Sequence, residues 1–143
     1  MEAVSAAQVA EHRPTLWKAA AIAVAISTVL NALGVFTEDA IHWLNLVIGF
    51  LIAAVAAGIV FGWFVRRACR PAARAWPAAL VFAALALITV PAFWSGLPPV
   101  FGVAAIYLGR RSASRPGLAA IVIGAVALVA DIGAYATDIA SRI

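Results

Sequence analysis

Charge, cysteine and lysine are all scarce in this chain, and each scarcity excludes a class of protein. Only 11% of the 143 residues are charged, whereas 66% are hydrophobic, so the composition lies outside the range of soluble globular proteins. The single cysteine, Cys69, excludes an internal disulfide and a metal cage built from thiolates. The single lysine, Lys18, stands beside nine arginines, a preference that fits a GC-rich bacterial genome.

Catalytic and nucleic-acid-binding motifs are also missing. The sequence has no nucleophile elbow, paired-histidine motif, phosphate loop or axial histidine pair. Glu38, Asp39 and His42 are interpreted as a solvated turn, because a metal site would need further ligands. The basic residues cap apolar runs instead of forming a stripe with interleaved aromatics. We therefore expect no enzyme, catalytic residue, metal or cofactor, and no nucleic-acid partner.

What the sequence does contain is a regular alternation of apolar runs with basic clusters. Nine of the ten basic residues fall in three clusters: Arg13 with Lys18; Arg66, Arg67, Arg70 and Arg74; and Arg110, Arg111 and Arg115. The acidic residues Glu38, Asp39, Asp131 and Asp138 lie near the opposite ends of the runs. Short cytoplasmic loops retain Lys and Arg, so the pattern predicts that all three clusters face the cytoplasm. Anionic lipid headgroups are expected partners of these loops.

The apolar runs predict an all-α integral membrane helical bundle that forms a single domain over residues 1–143. Five transmembrane segments follow a polar tail at 1–16, with the amino terminus inside and the carboxyl terminus outside. The predicted spans are about 17–36, 43–65, 76–94, 97–111 and 117–136. Two crossings are needed between 76 and 111 because one would put two basic clusters on opposite faces. The fourth segment would be only about 22 Å of helix against about 30 Å of hydrocarbon, so a re-entrant half-helix is a competing geometry.

Small and polar residues inside the spans provide the candidate sites. Gly58 and Gly62 on the second span, and Ala120 and Gly124 on the fifth, are candidate helix-packing positions, either within the monomer or between copies. Asp131 is the one ionisable residue placed within hydrocarbon, on a face with Gly124 and Ala127. Asn31 lies at nearly equal depth on the first span. An Asn31–Asp131 hydrogen bond is therefore a reasonable expectation. Asp131 is either a candidate functional group or a structural acid that Asn31, Tyr135 or a partner chain satisfies.

The stretch from Leu97 to Leu128 carries a family resemblance. It reads Pro98-Pro99, then Gly102-Val103-Ala104-Ala105-Ile106-Tyr107-Leu108-Gly109, then Arg110-Arg111 and the helix that begins at Gly117. This order resembles a bacterial membrane domain of unknown function that is typical of actinobacterial proteins, except that Ala120 stands where its members usually carry glycine. The resemblance implies a short helical hairpin plus a further span, and it brings no known active site.

Two functional classes remain open from the sequence. The first is a non-enzymatic accessory or assembly subunit of the bacterial inner membrane that packs against other membrane proteins or against itself. The alternative is a small transporter or a proton or cation pathway that uses Asp131. A transport route is usually marked by a second buried acid or by a helix broken at the midplane.

Overall fold

The computed structural model of the protein describes residues 2–36, 43–70 and 75–142, with side chains described from Thr15 onward. These residues are all-helical and include no strand, which confirms the prediction that the protein is all-α. They form five helices: α1 (Glu2–Phe36), α2 (Trp43–Ala68), α3 (Trp76–Ser95), α4 (Leu97–Ser112) and α5 (Arg115–Ala140). The predicted loops with Glu38, Asp39, His42 and Arg74 lie outside the described residues.

Four of the helical segments are long and apolar enough to cross a membrane: Thr15–Phe36, Trp43–Ala68, Trp76–Ser95 and Arg115–Ala140. Their outward faces carry large exposed hydrophobic side chains such as Leu44, Ile88 and Val129. The inward faces are mostly alanine. This distribution suits a lipid environment, where helices associate through close backbone approach and not by hiding large apolar groups from water.

α1 begins at Glu2, so the helix continues through the residues predicted as a polar tail. α2 contains a π-helical segment, Val60–Val65. α3 ends in a 3₁₀-helical segment, Val90–Ser95, in which Ala92 leaves helical geometry at φ −103° and ψ 40°. Pro91 accounts for this break, because it supplies no backbone N–H and its ring clashes with the preceding turn.

α4 is the shortest of the five helices and the one at the centre of the bundle. Nine of its 16 residues are buried, and it packs against α1, α2, α3 and α5. At 1.5 Å per residue it is about 24 Å long, less than the hydrocarbon thickness of about 30 Å. The short fourth segment of the sequence analysis is therefore a short helix surrounded by its longer neighbours.

Two pairs of glycines bring α4 and α5 into backbone contact. A Cβ added at Gly102 would lie 3.2 Å from the Gly124 carbonyl oxygen, and one added at Gly109 would lie 2.5 Å from the Gly117 carbonyl oxygen. The paired positions are seven residues apart on each helix, as expected for antiparallel helices that meet along one face. Pro116 and the Ser114 hydroxyl, which accepts a hydrogen bond from the Gly117 N–H at 3.1 Å, start α5.

The bundle has two chemically different ends. One end, called here the arginine end, carries Arg66, Arg67, Arg110 and Arg111. There, Cys69 at the end of α2 lies within electrostatic range of Arg111 on α4. At the other end, called here the Trp94 end, the rings of Phe36 and Trp43 meet edge to face, with centroids 5.9 Å apart.

A buried carboxyl beneath a polar cleft

The turn between α3 and α4 lies inside the bundle. Ser27 Oγ on α1 donates a 2.8 Å hydrogen bond to the Gly96 carbonyl oxygen, and Ser27 itself is buried. Ser27 precedes the end of α1 by nine residues, so the turn lies about 13 Å below that end. The predicted spans 76–94 and 97–111 place this turn at the far end of the bundle, whereas the structure places it deeper.

Gly96 explains why the turn can enter between α1 and α2. Its φ of +69° lies in the left-handed region, which glycine adopts without steric cost. A Cβ at this position would lie 3.3 Å from Ser27, Asn31 and Ala53 atoms. The absence of a side chain at Gly96 thus satisfies both the backbone conformation and the close approach.

Because the α3–α4 turn stops short, a cleft of about 520 Å³ opens at the Trp94 end. Its walls come from α1, α2, the 3₁₀-helical end of α3, and α5. The polar side chains that line it are Asn31, Asn45, Tyr135, Asp138 and Arg142. Asp138 and Arg142 form a 2.8 Å ion pair one turn apart on α5.

Tyr135 closes the inner side of this cleft. Its hydroxyl lies 3.0 Å from Asn31 Oδ1 and 3.0 Å from the Phe93 carbonyl oxygen, so one phenolic hydrogen serves two acceptors. Its ring packs edge to face on Phe93 with a centroid distance of 4.8 Å. Asn31 Nδ2 donates in turn to the Ser27 carbonyl oxygen at 3.0 Å. Four elements of the bundle therefore meet at this network: α1, α3, α5 and the turn that Ser27 holds.

Asp131 lies one helical turn below Tyr135, on the same buried face of α5. It is 0% exposed. Neither of its carboxyl oxygens has a hydrogen-bond partner among the described residues. An unpaired charge in such a place is costly, so a buried carboxyl of this kind either holds a proton or needs a cation.

The predicted Asn31–Asp131 hydrogen bond is not formed. The Asn31 amide oxygen accepts a hydrogen bond from Tyr135 instead.

The four predicted helix-packing positions differ in their surroundings. Ala120 and Gly124 lie buried on the face of α5 that meets α4. Gly62 faces Trp17, whose ring would lie 3.9 Å from an added Cβ, whereas a Cβ at Gly58 would meet nothing within 4 Å. Within the monomer, Ala53 and Ala57 occupy the buried face of α2.

Sequence reasoning places Ser27 on the face of Asn31, and Tyr135 on the face of Asp131. It does not predict that Ser27 bonds the Gly96 carbonyl oxygen or that Tyr135 bonds Asn31 and Phe93. Gly96 after Ser95 indicated a turn but carried no information on depth.

Among the described residues, no three His, Cys, Asp or Glu side chains come together to hold a metal ion. Compared with protein families, with curated proteins and with solved structures, the chain matches none. The resemblance of residues 97–128 to a bacterial membrane domain therefore remains a prediction. Fold and site together define a small, all-helical protein with several helices suited to a membrane, and with a buried carboxyl below a polar cleft.

Proposed function

We propose that this protein is a small, non-enzymatic, multi-span membrane protein that binds a proton on Asp131 from the side of the cleft. The observation that carries the proposal is the complete burial of Asp131 with both oxygens unpartnered. Intramembrane acids of this kind are typical of proton and ion pathways. The network of Tyr135 and Asn31 separates this carboxyl from the cleft by about one helical turn.

A proton suits the surroundings of Asp131 better than a metal cation does. A cation would need several oxygen ligands in addition to one carboxylate. Tyr135, one helical turn away on the cleft side, already has its hydroxyl bonded to the Phe93 carbonyl oxygen and to Asn31. A proton requires no such ligand set.

The polar groups extend from Asp131 towards one end of the bundle. Of the buried polar side chains in the described part of the chain, Ser27, Asn31 and Ser95 lie on the side of the cleft, and Ser112 alone lies at the arginine end. The core between Asp131 and Ser112 consists of Ala, Val, Leu and Phe. This arrangement favours a half-pathway open to the cleft, so that transport across the bilayer would require a second conformation.

The proposed topology places the arginine end in the cytoplasm of a bacterial cell and the cleft outside the inner membrane. It has five membrane segments, the amino terminus inside and the carboxyl terminus outside. The distribution of arginine supports this orientation. The antiparallel course of α3 and α4, which returns Arg110 and Arg111 to the end that carries Arg66, also supports it.

Infrared difference spectroscopy during a pH titration tests proton binding directly. The wild-type protein in lipid vesicles is expected to show a protonated carboxyl band that disappears in Asp131→Asn. Asp138→Asn is the matched control, because Asp138 lies on the same helix but is paired with Arg142 at the mouth of the cleft. In the same vesicles, proton uptake driven by a membrane potential should fall in Asp131→Asn. An unchanged spectrum and unchanged uptake in that variant would remove Asp131 from the function.

The second candidate is an accessory or assembly subunit, and the exposed Gly58 on α2 favours it. Nothing within the monomer covers this position, so another helix could approach closely there. Complete burial of Asp131 makes that residue a poor contact for a partner. Purification in mild detergent followed by mass spectrometry tests this candidate, and recovery of the protein alone in one size would count against it.

A further inference from the structure

We propose that the groove between α1 and α2 at the arginine end binds one acyl chain of an anionic phospholipid, whose headgroup is held by Lys18 and by Arg66 and Arg67 in the last turn of α2. The groove has a volume of about 640 Å³. It is lined by α1 from Trp17 to Val29 and by α2 from Phe50 to Gly58. This inference depends on the placement of the bundle in a membrane and not on the role of Asp131.

The two helices approach closely at one level, and at another level a position of α2 that borders the groove is open. Near the Trp94 end, a Cβ added at Gly49 would lie 3.2 Å from the Asn31 side chain. Towards the arginine end, the same test at Gly58 meets nothing within 4 Å. Trp17, which would lie 3.9 Å from a Cβ at Gly62, borders the groove at its lower end.

The chemistry of the groove fits a hydrocarbon chain. Thr28 and the indole N–H of Trp17 are the polar groups among the lining side chains, and the Thr28 hydroxyl donates to the Val24 carbonyl oxygen at 2.8 Å. The other lining residues are Ala, Val, Phe and Gly. The groove therefore suits an apolar occupant.

The length of the groove distinguishes an acyl chain from a transmembrane helix. From Trp17 to Val29 it extends about 18 Å along α1, which is close to one leaflet, or half of a hydrocarbon layer about 30 Å thick. The close approach of Asn31 and Gly49 ends the groove five residues before α1 finishes at Phe36. The groove therefore matches the length of an acyl chain, and a spanning helix packed along it would extend beyond it.

Charge at the mouth of the groove selects the headgroup. Lys18 is exposed and stands three, seven and eleven residues before Ala21, Ala25 and Val29, so it continues the row that lines the groove. Arg66 and Arg67, both exposed, follow the π-helical segment of α2 at the same end. An anionic headgroup between these side chains would gain a favourable electrostatic interaction. A zwitterionic headgroup, which has no net charge, would gain less.

Fluorescence quenching of Trp17 tests the proposal. The protein is reconstituted into phosphatidylcholine vesicles that contain a minor fraction of brominated phosphatidylglycerol or of brominated phosphatidylcholine. The component of the quenching that is lost in Trp17→Phe measures the lipid bound in the groove. We expect this component to be severalfold larger for brominated phosphatidylglycerol than for brominated phosphatidylcholine. Lys18→Gln should reduce the preference about fivefold, since a basic side chain near an anionic surface contributes about 1 kcal/mol.

Gly58→Leu fills the groove and should abolish the Trp17-specific quenching. Gly133→Leu is the matched control, because Gly133 on α5 also has nothing within 4 Å of an added Cβ and lies outside the groove. It should leave the quenching unchanged. Equal quenching of Trp17 by the two brominated lipids would overturn the proposal. So would a Gly58→Leu variant that changes the oligomeric state while lipid quenching stays the same, since the occupant would then be a second copy.

Discussion

The Tyr135 hydroxyl donates a 3.0 Å hydrogen bond to Asn31 Oδ1, which joins α5 to α1 below the cleft. The two residues are 104 positions apart in the chain. The same hydroxyl reaches the Phe93 carbonyl oxygen at the end of α3. One side chain therefore connects three helices at the level where α3 and α4 turn. This connection makes Tyr135 the residue whose removal should loosen the site most directly.

The Tyr135→Phe variant is expected to be less stable than the wild type by about 1–2 kcal/mol, because Asn31 Oδ1 and the Phe93 carbonyl lose a buried donor. Thermal unfolding in detergent measures the change. Tyr107→Phe is the matched control: the Tyr107 ring lies against Arg111 at 5.5 Å, and its hydroxyl has no hydrogen bond among the described residues. If both variants unfold at the same temperature, the network below the cleft contributes nothing to stability.

Sequence reasoning reaches the fold class because composition and hydrophobic run length determine it. The runs that predict helices at 17–36, 43–65, 76–94 and 117–136 overlap the four helices suited to a membrane. The three- and four-residue spacings from Gly124 to Ala127 and from Ala127 to Asp131 are enough to indicate one buried face on α5, and the structure buries all three residues. The number of crossings stays a prediction, because α4 is too short to decide it.

The depth of the α3–α4 turn could not be predicted from the sequence. Ser95-Gly96 followed by Pro98-Pro99 predicts a turn but not its depth along the membrane normal, since turn chemistry is local. Its depth depends on Ser27 and Ala53, which belong to other helices. For the same reason, helix periodicity placed Asn31 and Asp131 at similar depth but could not assign Asn31 to Tyr135.

Ser27 and Thr28 allow the buried position of this turn to be tested. Ser27 Oγ donates across the bundle to the Gly96 carbonyl oxygen, as well as to the Ala23 carbonyl oxygen of its own helix at 2.9 Å. The Thr28 hydroxyl donates within its own helix to Val24. Ser27→Ala should therefore cost about 1 kcal/mol of unfolding free energy, whereas Thr28→Val should change it little.

The measurement is the unfolding midpoint of each variant in the same detergent, with circular dichroism to establish that the helix content is retained. A Ser27→Ala variant as stable as Thr28→Val would contradict the contact between α1 and the turn. It would also place the turn nearer to the end of the bundle.

The glycine pairs of α4 and α5 predict a strong difference between two identical substitutions on neighbouring helices. Gly109→Ala would bring a methyl group to 2.5 Å from the Gly117 carbonyl oxygen and 2.7 Å from Ile121 Cγ1. The helices must then separate, which should destabilise the protein by about 1–3 kcal/mol. Gly133→Ala meets nothing within 4 Å and should raise stability slightly, since alanine is the better helix former.

Thermal unfolding of the two variants side by side measures this difference, because the chemical change is the same and only the surroundings differ. An equal effect at both positions would mean that α4 and α5 do not approach at Gly109. The short central helix would then need another mode of packing.

Cys69 provides a chemical test of the arginine end. Burial raises the pKa of the Cys69 thiol above its usual value of 9.0, and the positive charge of Arg111 on α4 partly opposes this increase. The thiolate is the reactive form, so alkylation by a soluble maleimide should accelerate only at a higher pH than for an exposed cysteine. Arg111→Gln removes the opposing charge. It should raise the pKa further and move the pH profile of alkylation to still higher pH.

Arg115→Gln is the control, because it removes the same charge from an exposed arginine at the start of α5, whereas Arg111 is the arginine that lowers the pKa of the Cys69 thiol. Its profile should coincide with that of the wild type. Since Arg111 can influence Cys69 only if α4 returns to the end of the bundle where α2 finishes, the experiment also tests the antiparallel course of α3 and α4. If the Arg111→Gln profile is identical to that of the wild type, Arg111 and Cys69 are not close to each other. The second and third basic clusters of the sequence would then not lie at the same end of the bundle.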